Sequence, residues 1–313
     1  MDNVTDTRLV YGFLDAGKTT YIRENILGDV FYKYGTTLIL CFEEGEEGFD
    51  PDVLSEKRTS VAYYDDGGIR EFCLRNIEKY HPDRIYVEMN TMISDLKENL
   101  PECMKVTFSM MLIDWSTMPV YYTNFMQLFR QMTSNADQVV FRGCPSNELL
   151  KPYSQAFRLM NPKASYLRQD PMGYHEKAFE MFLPFSIGSA EIKISEKEYL
   201  QLWLDAFDHP EHYEGKTIHF TDPIEFRKDG ADGKWSCGRV VMTCCMADLQ
   251  FMSFVLEQNS PELGKVSDGG WAVMEALARV VTDGYGQRKL TLKPKVIHNI
   301  VQPEELILDS RKN

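Results

Sequence analysis

One short segment near the start of the chain limits its fold more than any other feature. Residues 12–20 read Gly-Phe-Leu-Asp-Ala-Gly-Lys-Thr-Thr, which fits the pattern G-x-x-x-x-G-K-[ST]. The segment lies between an apolar run typical of a strand, Arg8–Phe13, and a helical pattern from Thr19 to Leu27. Glycines allow the backbone to curl around a phosphate group, and the N–H groups at the start of the helix then point at it. The sequence therefore predicts a phosphate-binding loop.

The chemistry of the loop residues predicts what each contributes. Lys18 is expected to neutralise the β- and γ-phosphate oxygens, and Thr19 to offer its hydroxyl to Mg²⁺. The residues expected to contact the nucleotide are Gly12, Asp15, Ala16, Gly17, Lys18, Thr19 and Thr20. The predicted ligand is GTP or ATP with Mg²⁺.

Two carboxylates end apolar runs that are typical of strands. Glu88 follows Arg84-Ile-Tyr-Val, and Asp114 follows Met110-Met-Leu-Ile. The carboxyl ends of parallel strands meet at one edge of a sheet, where ligands bind. Glu88 and Asp114 are therefore predicted to act with Lys18 as catalytic residues that hold the metal or the attacking water. The alternative is that each carboxylate caps a turn or a helix.

The chain length of 313 residues indicates two domains. Strand-like runs alternate with helical stretches in the first half, which predicts an α/β domain with a mostly parallel sheet over residues 1–170. A linker is expected at 171–190, where prolines and small residues accumulate. Residues 191–313 are predicted to form a smaller β-rich domain, an OB-like barrel.

The elements of the second half follow from its apolar patterns. Ser195–Asp208 carries apolar residues at helical spacing and is followed by a proline, so it is expected to be a helix. The predicted strands are Lys216–Phe220, Gly238–Cys244, Phe251–Glu257, Trp271–Val281 and Lys289–His298.

Composition excludes some classes of partner. The net charge of −13 opposes binding to nucleic acid, because phosphate backbones are bound through Lys and Arg. No apolar stretch approaches the roughly 20 residues of a membrane span, and the start lacks a secretory signal. Seven scattered cysteines are a poor disulfide framework. We expect a cytoplasmic protein without membrane insertion, whose thiols are free to bind metal.

The loop at 12–20 resembles that of the CobW-like GTPases, relatives of the urease and hydrogenase nickel-insertion proteins. Three further segments are similar to this family in the same order: Phe42–Asp52, Asp83–Glu88 and Asn161–Ala164. The resemblance covers about residues 8–170. It implies a nucleotide-switched protein that loads or traffics a transition metal to a metalloprotein client.

The sequence also differs from that family at positions that matter. Tyr63–Arg70 has no thiol where the family has its Cys-x-Cys-Cys motif, and Arg142-Gly-Cys-Pro145 replaces the guanine-reading Asn-Lys-x-Asp. Asp15 replaces a loop glycine, where a carboxylate repels the γ-phosphate unless it points outward or meets a cation. Glu88-Met-Asn-Thr91 departs from E-T-S-G. The base preference and the presence of NTPase activity therefore stay open.

Residues 43–52 hold six acidic side chains in ten positions. A hard cation could neutralise this density of charge, and Glu43 matches a glutamate of the family, so Glu43 is the candidate for a magnesium or metal contact. The alternative is an ordinary solvated loop.

Paired cysteines mark the second half. Cys244, Cys245 and Asp248 offer soft and hard ligands close together, which suits Zn²⁺ or another transition metal. This half resembles the C-terminal domain of the uncharacterised YcgQ-like family, which implies a partnership with a membrane permease. Because adjacent strand residues point to opposite faces, the alternative is one buried core thiol and one exposed thiol.

Two functions follow from these observations. The first is an NTP-dependent metal-handling protein in which the nucleotide state controls metal binding or transfer. The second is a non-hydrolysing nucleotide-binding adaptor that regulates a membrane permease.

Overall fold

The computed structural model describes residues 4–27, 35–42, 48–65, 67–90, 99–179, 183–229, 233–242 and 249–310. The chain forms two compact units. The first unit comprises residues 1–152 and 163–179, and the second comprises 153–162 and 180–313.

A single sheet of eight strands organises the first unit. Its spatial order is β3-β2-β4-β1-β5-β6-β7-β8, and every neighbouring pair is parallel except β7 and β8. The strands are β1 (Thr5–Gly12), β2 (Thr37–Cys41), β3 (Thr59–Tyr63), β4 (Arg84–Asn90), β5 (Met104–Asp114), β6 (Gln138–Arg142), β7 (Ser165–Gln169) and β8 (His175–Lys177).

Helices connect these strands, as parallel pairing requires. They are α1 (Lys18–Leu27), α2 (Pro51–Glu56), α3 (Ile69–Tyr80), α4 (Met118–Asn124) and α5 (Met126–Ser134). All five residues of β2 are buried, as expected of a strand with both faces covered. The helix α3, in contrast, buries only one face, which includes Phe72 and Cys73.

Over its described residues, the second unit combines two α-helices with a strand-rich core. The helices are α6 (Lys151–Met160) and α7 (Tyr199–Asp208). The second unit includes α6 only from residue 153 onward. The strands are β9 (Glu191–Ile194), β10 (Thr217–Asp229), β11 (Lys234–Met242), β12 (Gln250–Leu256), β13 (Gly270–Thr282), β14 (Arg288–Ile300) and β15 (Ile307–Asp309).

Five of these strands close into a barrel. They pair in the order β11-β12-β14-β13-β10, and β10 pairs in turn with β11. The long strand β10 pairs with β13 on both sides of a register shift between Phe220 and Ile224. Pro223 lies within this shift, where a residue without an N–H group interrupts the ladder least. The outer strands β9 and β15 pair with β10 and β11.

The predicted fold class is confirmed: the first half has a mostly parallel sheet and the second is a β-rich barrel. Some predicted elements were too short or misplaced. The strand expected at Lys216–Phe220 continues to Asp229, and the helix expected from Ser195 begins as a 3-10 turn, Glu196–Glu198, before α7. Ser195 and Glu198 form a capping box, which explains this entry into the helix.

None of the helices within the described ranges has the length and the apolar character that crossing a bilayer requires.

Candidate functional site

The loop after β1 makes a tight turn that depends on two glycines. Gly12 ends β1, and a Cβ atom there would lie 2.3 Å from the carbonyl oxygen of Leu112 on β5. The Ala16 N–H donates to the carbonyl of Phe13 at 3.2 Å, which closes the turn. Gly17 has a φ of 76°, in the left-handed region that favours glycine. The sequence pattern therefore matches what the backbone needs.

Asp15 adopts the same left-handed region, with a φ of 59°. Aspartate tolerates this conformation better than most residues, because its short side chain can bond locally. Its side chain is exposed. The carboxylate that replaces a loop glycine is thus held at the surface of the loop.

Lys18 is the first residue of α1, and its side chain reaches back across the loop to Gly12 and Phe13. Its Nζ donates to the carbonyl of Phe13 at 2.7 Å and lies 3.4 Å from the carbonyl oxygen of Gly12. The side chain is almost fully buried, with 3% exposed. The ammonium group is therefore kept at the inner side of the turn, where the predicted phosphates would lie.

Thr19 and Glu88 meet beneath the loop. The Thr19 hydroxyl donates to Oε1 of Glu88 at 2.6 Å, and β4 brings Glu88 alongside β1 through the register Val10 with Glu88. The other carboxylate oxygen accepts from the thiol of Cys41 at 3.6 Å. Burial, and then the Glu88 charge, raise the pKa of the Cys41 thiol well above its usual range, so this thiol stays protonated.

Aromatic packing fixes the start of the loop. The ring of Phe13 stacks on Tyr121 of α4, with centroids 4.5 Å apart, and contacts Phe129 of α5 at 5.1 Å. Such pairs contribute about 0.5–1.5 kcal/mol beyond the burial of their area. A side chain at a position that the motif leaves unspecified thereby anchors the loop to two helices.

Arg142, the last residue of β6, contacts the outside of the loop. Its Nη1 donates to the carbonyl of Gly17 at 2.5 Å and lies 3.4 Å from the carbonyl oxygen of Ala16. Its Nε donates to Oε1 of Gln169, the last residue of β7, at 2.7 Å. The residue that replaces the expected guanine-reading motif therefore bonds to the loop itself.

A cavity of about 400 Å³ adjoins the loop. Volumes of this order are typical of small-molecule sites. Its walls carry more acidic than basic side chains, and the lining includes Asp15, Gly17, Glu24, Asp114, Arg142, Gln169, Asp170 and Met172.

Asp114 lines this cavity and also stabilises a turn. Its Oδ1 accepts from the Ser116 N–H at 2.8 Å, and its Oδ2 accepts from the Ser116 hydroxyl at 3.0 Å. Asp50, in the acidic segment at 43–52, accepts from two N–H groups of α2 and caps that helix. A turn was the alternative role expected for Asp114, whereas the alternative for residues 43–52 was a solvated loop, so the helix cap at Asp50 was not predicted.

The structure brings together residues 12–20 and Glu88, and it places Asp114 at the adjoining cavity. Thr20 lies in the first turn of α1. Four predicted metal ligands, Glu43, Cys244, Cys245 and Asp248, lie outside the described residues, so their role stays a prediction. Within the described part of the chain, no group of three or more His, Cys, Asp and Glu residues is arranged to hold a metal ion.

Sequence reasoning missed the parts played by Cys41 and Gln169. Cys41 ends β2, and Gln169 ends β7, a strand that was not predicted because only two of its five residues are apolar. The rule that selected Glu88, a side chain with a polar group at a strand end, would have selected Cys41, but it could select Gln169 only if β7 had been predicted.

In the second unit, the segment before the paired cysteines is tightly packed. Gly238 lies so close to β12 that a Cβ atom would come 2.1 Å from the carbonyl oxygen of Met252. Arg239 is 1% exposed and donates to the carbonyls of Pro223 and Glu305 at 3.1 and 3.0 Å, and its Nη1 lies 3.3 Å from Glu196 Oε2. Gly238 and Arg239 are therefore parts of the barrel core.

Residues 172–307 match the family model of the DUF1980 C-terminal domain. This match agrees with the expectation that the second half is a C-terminal domain of uncharacterised function. The matched range includes all five barrel strands and Arg239. A search of curated proteins finds no match to the chain.

Solved structures similar to the chain include three metal-bound or maturation proteins. The Zn(II)-bound YjiA GTPase from E. coli is 18% identical, with a TM-score of 0.38 over 52% of this chain and 57% of that chain. The hydrogenase maturation factor HypB from Archaeoglobus fulgidus is 13% identical, with a TM-score of 0.37 over 54% and 83%. HypB from Helicobacter pylori in complex with nickel is 13% identical, with a TM-score of 0.35 over 53% and 79%. The chain thus spans just over half the length of the YjiA structure.

Proposed function

We propose that the first unit binds a nucleoside triphosphate with Mg²⁺ and that the nucleotide state controls metal binding by the second half of the chain. The contact between the Thr19 hydroxyl and the Glu88 carboxylate, beneath a loop spanned by Lys18, carries the nucleotide part of this proposal. It joins a residue of the motif to a carboxylate 69 positions away, which a chance glycine-rich turn would not explain.

The donor set at this contact suits magnesium. Mg²⁺ prefers oxygen ligands and binds through one or two carboxylates together with substrate phosphates. Thr19 Oγ1 and Glu88 Oε1 supply two oxygens 2.6 Å apart. When bound, the ion would neutralise charge on the phosphates, while Lys18 and the N–H groups of the loop would orient them.

Isothermal titration calorimetry with ATP, GTP and Mg²⁺ tests the nucleotide part. The parent protein should bind at least one triphosphate, and Lys18→Ala should weaken binding by about tenfold or more, because a buried ammonium would be lost from the phosphates. Lys105→Ala changes an exposed lysine on β5 and is the matched control. Saturable binding that is equal in the parent and in Lys18→Ala would contradict the proposal.

The metal part rests on the thiol pair Cys244 and Cys245 with Asp248 nearby, a ligand set that suits Zn²⁺. Equilibrium dialysis with Zn²⁺ tests it, and the Cys244→Ala/Cys245→Ala variant should lose binding that Cys103→Ala retains. Repeating the dialysis with saturating nucleotide should change the Zn²⁺ affinity. Equal binding by the parent and the double variant would remove the metal role.

A second candidate function is a nucleotide-binding adaptor without hydrolysis that acts on a membrane permease. The observation that favours it is the local structure of the site: Asp114 is hydrogen-bonded within a turn and Arg142 is bonded to the loop. Phosphate release that exceeds background and disappears in Lys18→Ala would contradict the adaptor. Tight binding without phosphate release would support it.

A further inference from the structure

Three neighbouring strand ends form a row beside the loop. Asp114, Arg142 and Gln169 are the last residues of β5, β6 and β7, and they are paired in register across the parallel sheet. All three line the cavity of about 400 Å³ that adjoins residues 15–17. The middle residue of this row is the one that reaches the loop.

The guanidinium of Arg142 is held in place from both sides. Gln169, which is 6% exposed, accepts from Nε, and the Gly17 carbonyl accepts from Nη1 at 2.5 Å. A Cβ atom on residue 17 would lie 1.6 Å from Nη1, so the arginine packs into space that only glycine leaves. The position of the Arg142 guanidinium therefore requires a glycine at residue 17.

The geometry of the peptide bond links this contact to the inner face of the loop. In a trans peptide, the C=O and the following N–H point in opposite directions. Hydrogen bonds from Arg142 to the carbonyls of Ala16 and Gly17, joined at Gly17 by the Tyr21 N–H at 3.0 Å, therefore orient the N–H groups of Gly17 and Lys18 in the opposite direction. Lys18 begins α1, and the N–H groups of a first helical turn have no partner within the helix.

We propose that Arg142 is a positioning residue of the phosphate loop. It holds the carbonyls of Ala16 and Gly17 so that the N–H groups of Gly17 and Lys18 face a polyphosphate, whatever base the nucleotide carries. This inference rests on the proposed nucleotide function. It assigns to the end of β6 a role in phosphate binding instead of a role in reading the base.

A comparison of ligands with and without a base tests this role. Affinities of ATP, GTP, CTP and inorganic triphosphate, each with Mg²⁺, are measured by calorimetry for the parent and for Arg142→Ala. Each ligand that binds to the parent should bind to Arg142→Ala with an affinity that is lower by a similar factor, about tenfold or more. The reason is that charged hydrogen bonds to the loop are lost. Arg142→Lys should recover part of the affinity, since an ammonium can still donate to the Gly17 carbonyl.

Two further variants keep the test decisive. Gln169→Ala removes the acceptor that orients Nε and should cause a smaller loss that is again equal for all ligands. Arg75→Ala, an exposed arginine of α3 paired with Asp65, should change nothing. Circular dichroism and thermal midpoints show whether each variant is folded. If Arg142→Ala is not folded, the affinities of Arg142→Lys and Gln169→Ala decide whether Arg142 has the proposed role.

The outcomes separate this inference from the function on which it rests. A loss confined to one base, an unchanged affinity for inorganic triphosphate, or no loss at all in a folded variant overturns the role of Arg142 but leaves nucleotide binding intact. No binding of any triphosphate by the parent overturns the nucleotide function and this inference together.

Discussion

Asp15 combines two costs at one position of the loop. Its φ of 59° is a conformation that only glycine adopts freely, and its carboxylate lies in a loop that is expected to hold an anion. Exposure of the side chain lets solvent screen the charge, so the repulsion is reduced but not removed. We therefore expect Asp15 to lower the affinity of the loop for a triphosphate without preventing the fold of the loop.

Changing Asp15 should separate these two costs. Asp15→Asn removes the charge and keeps a residue that tolerates the left-handed region, so we expect triphosphate affinity to rise several-fold at low salt. Asp15→Gly should give at least the same gain. Calorimetry at about 50 and 500 mM salt checks this, because a gain that is electrostatic shrinks at high salt. Asp6→Asn, at the other end of β1, is the control.

At the scale of single residues, the sequence predicted which residues form the loop better than it predicted which other residues contact the loop. Gly12, Gly17, Lys18 and Thr19 could be assigned because the motif itself demands a tight backbone and a cation. The bond from Arg142 to the loop could not be predicted, because residues 17 and 142 are brought together only by the order of the strands in the sheet.

Among the elements, the start of β2 depends on a single carboxylate. Asp83 accepts from the Thr36 N–H at 2.6 Å and from the Thr36 hydroxyl at 3.1 Å, just before β2 and β4 begin. These hydrogen bonds hold the pKa of Asp83 below its usual range. The folded-state pKa is thus lower than the unfolded one, so the stabilisation is present above the unfolded pKa and is lost as the pH falls through the folded pKa.

We therefore expect the urea midpoint of the first unit to fall as the pH drops below the usual aspartate range. Asp83→Asn should be less stable near neutral pH and should show a smaller loss at acidic pH. Because Asp83 is exposed to solvent, the effect should be modest. Unfolding curves between about pH 3 and pH 7 measure it, and identical pH profiles for the parent and the variant would contradict the assignment.

In the second unit, Arg239 connects four parts of the barrel domain. It bonds to the carbonyl of Pro223 on β10, to Glu196 before α7 and to Glu305 before β15, and its guanidinium lies 5.3 Å from the ring of Trp271. It is also almost fully buried, so removing it leaves carbonyl groups without donors.

Arg239→Ala should therefore lower the free energy of unfolding by about 2 kcal/mol or more, because it breaks a buried hydrogen-bond network. Arg279→Ala, an exposed arginine on β13, should change it by less than about 0.5 kcal/mol. Chemical denaturation followed by tryptophan fluorescence measures both variants. A cost for Arg239→Ala no larger than that for Arg279→Ala would show that the buried contacts do not stabilise the barrel.

Periodicity predicted most of the long elements and missed those whose pattern is broken. Strands β1, β4 and β5 were found because uninterrupted apolar runs lead to Gly12, Glu88 and Asp114. The second half of β10 was missed because Thr221-Asp-Pro reads as a turn, although the chain only shifts register there. Strands β9 and β15 have four and three residues, too few for a periodic pattern.

For the whole molecule, the path of the chain through its two units is more complex than the sequence predicted. A boundary near residue 170 follows from composition, but residues 153–162, which include most of α6, belong to the second unit. Leu159 is part of its apolar core, and Arg158 pairs with Asp208 of α7. Composition cannot reveal such an exchange, because an amphipathic helix looks the same whichever core it covers.

The predicted second domain, residues 191–313, should consequently be unstable when expressed without α6. A synthetic peptide of residues 149–164 should bind the fragment 180–313 and raise its thermal midpoint, since losing a buried leucine alone costs about 2–5 kcal/mol. The same peptide with Leu159→Asp is the control and should have no effect. If the thermal midpoint of the fragment 180–313 were the same with and without the peptide, and no lower than that of the second unit in the full chain, α6 would be dispensable.

This path also has a consequence for synthesis on the ribosome. The apolar face of α6 leaves the exit tunnel before α7 and the five barrel strands that supply its partners. The core that covers Leu159 extends to Leu308, and at roughly 5–20 residues per second the synthesis of the intervening residues takes on the order of ten seconds. We expect the exposed Leu159 and its neighbours to bind chaperones during that interval, so nascent chains stalled shortly after residue 180 should be enriched in chaperone complexes.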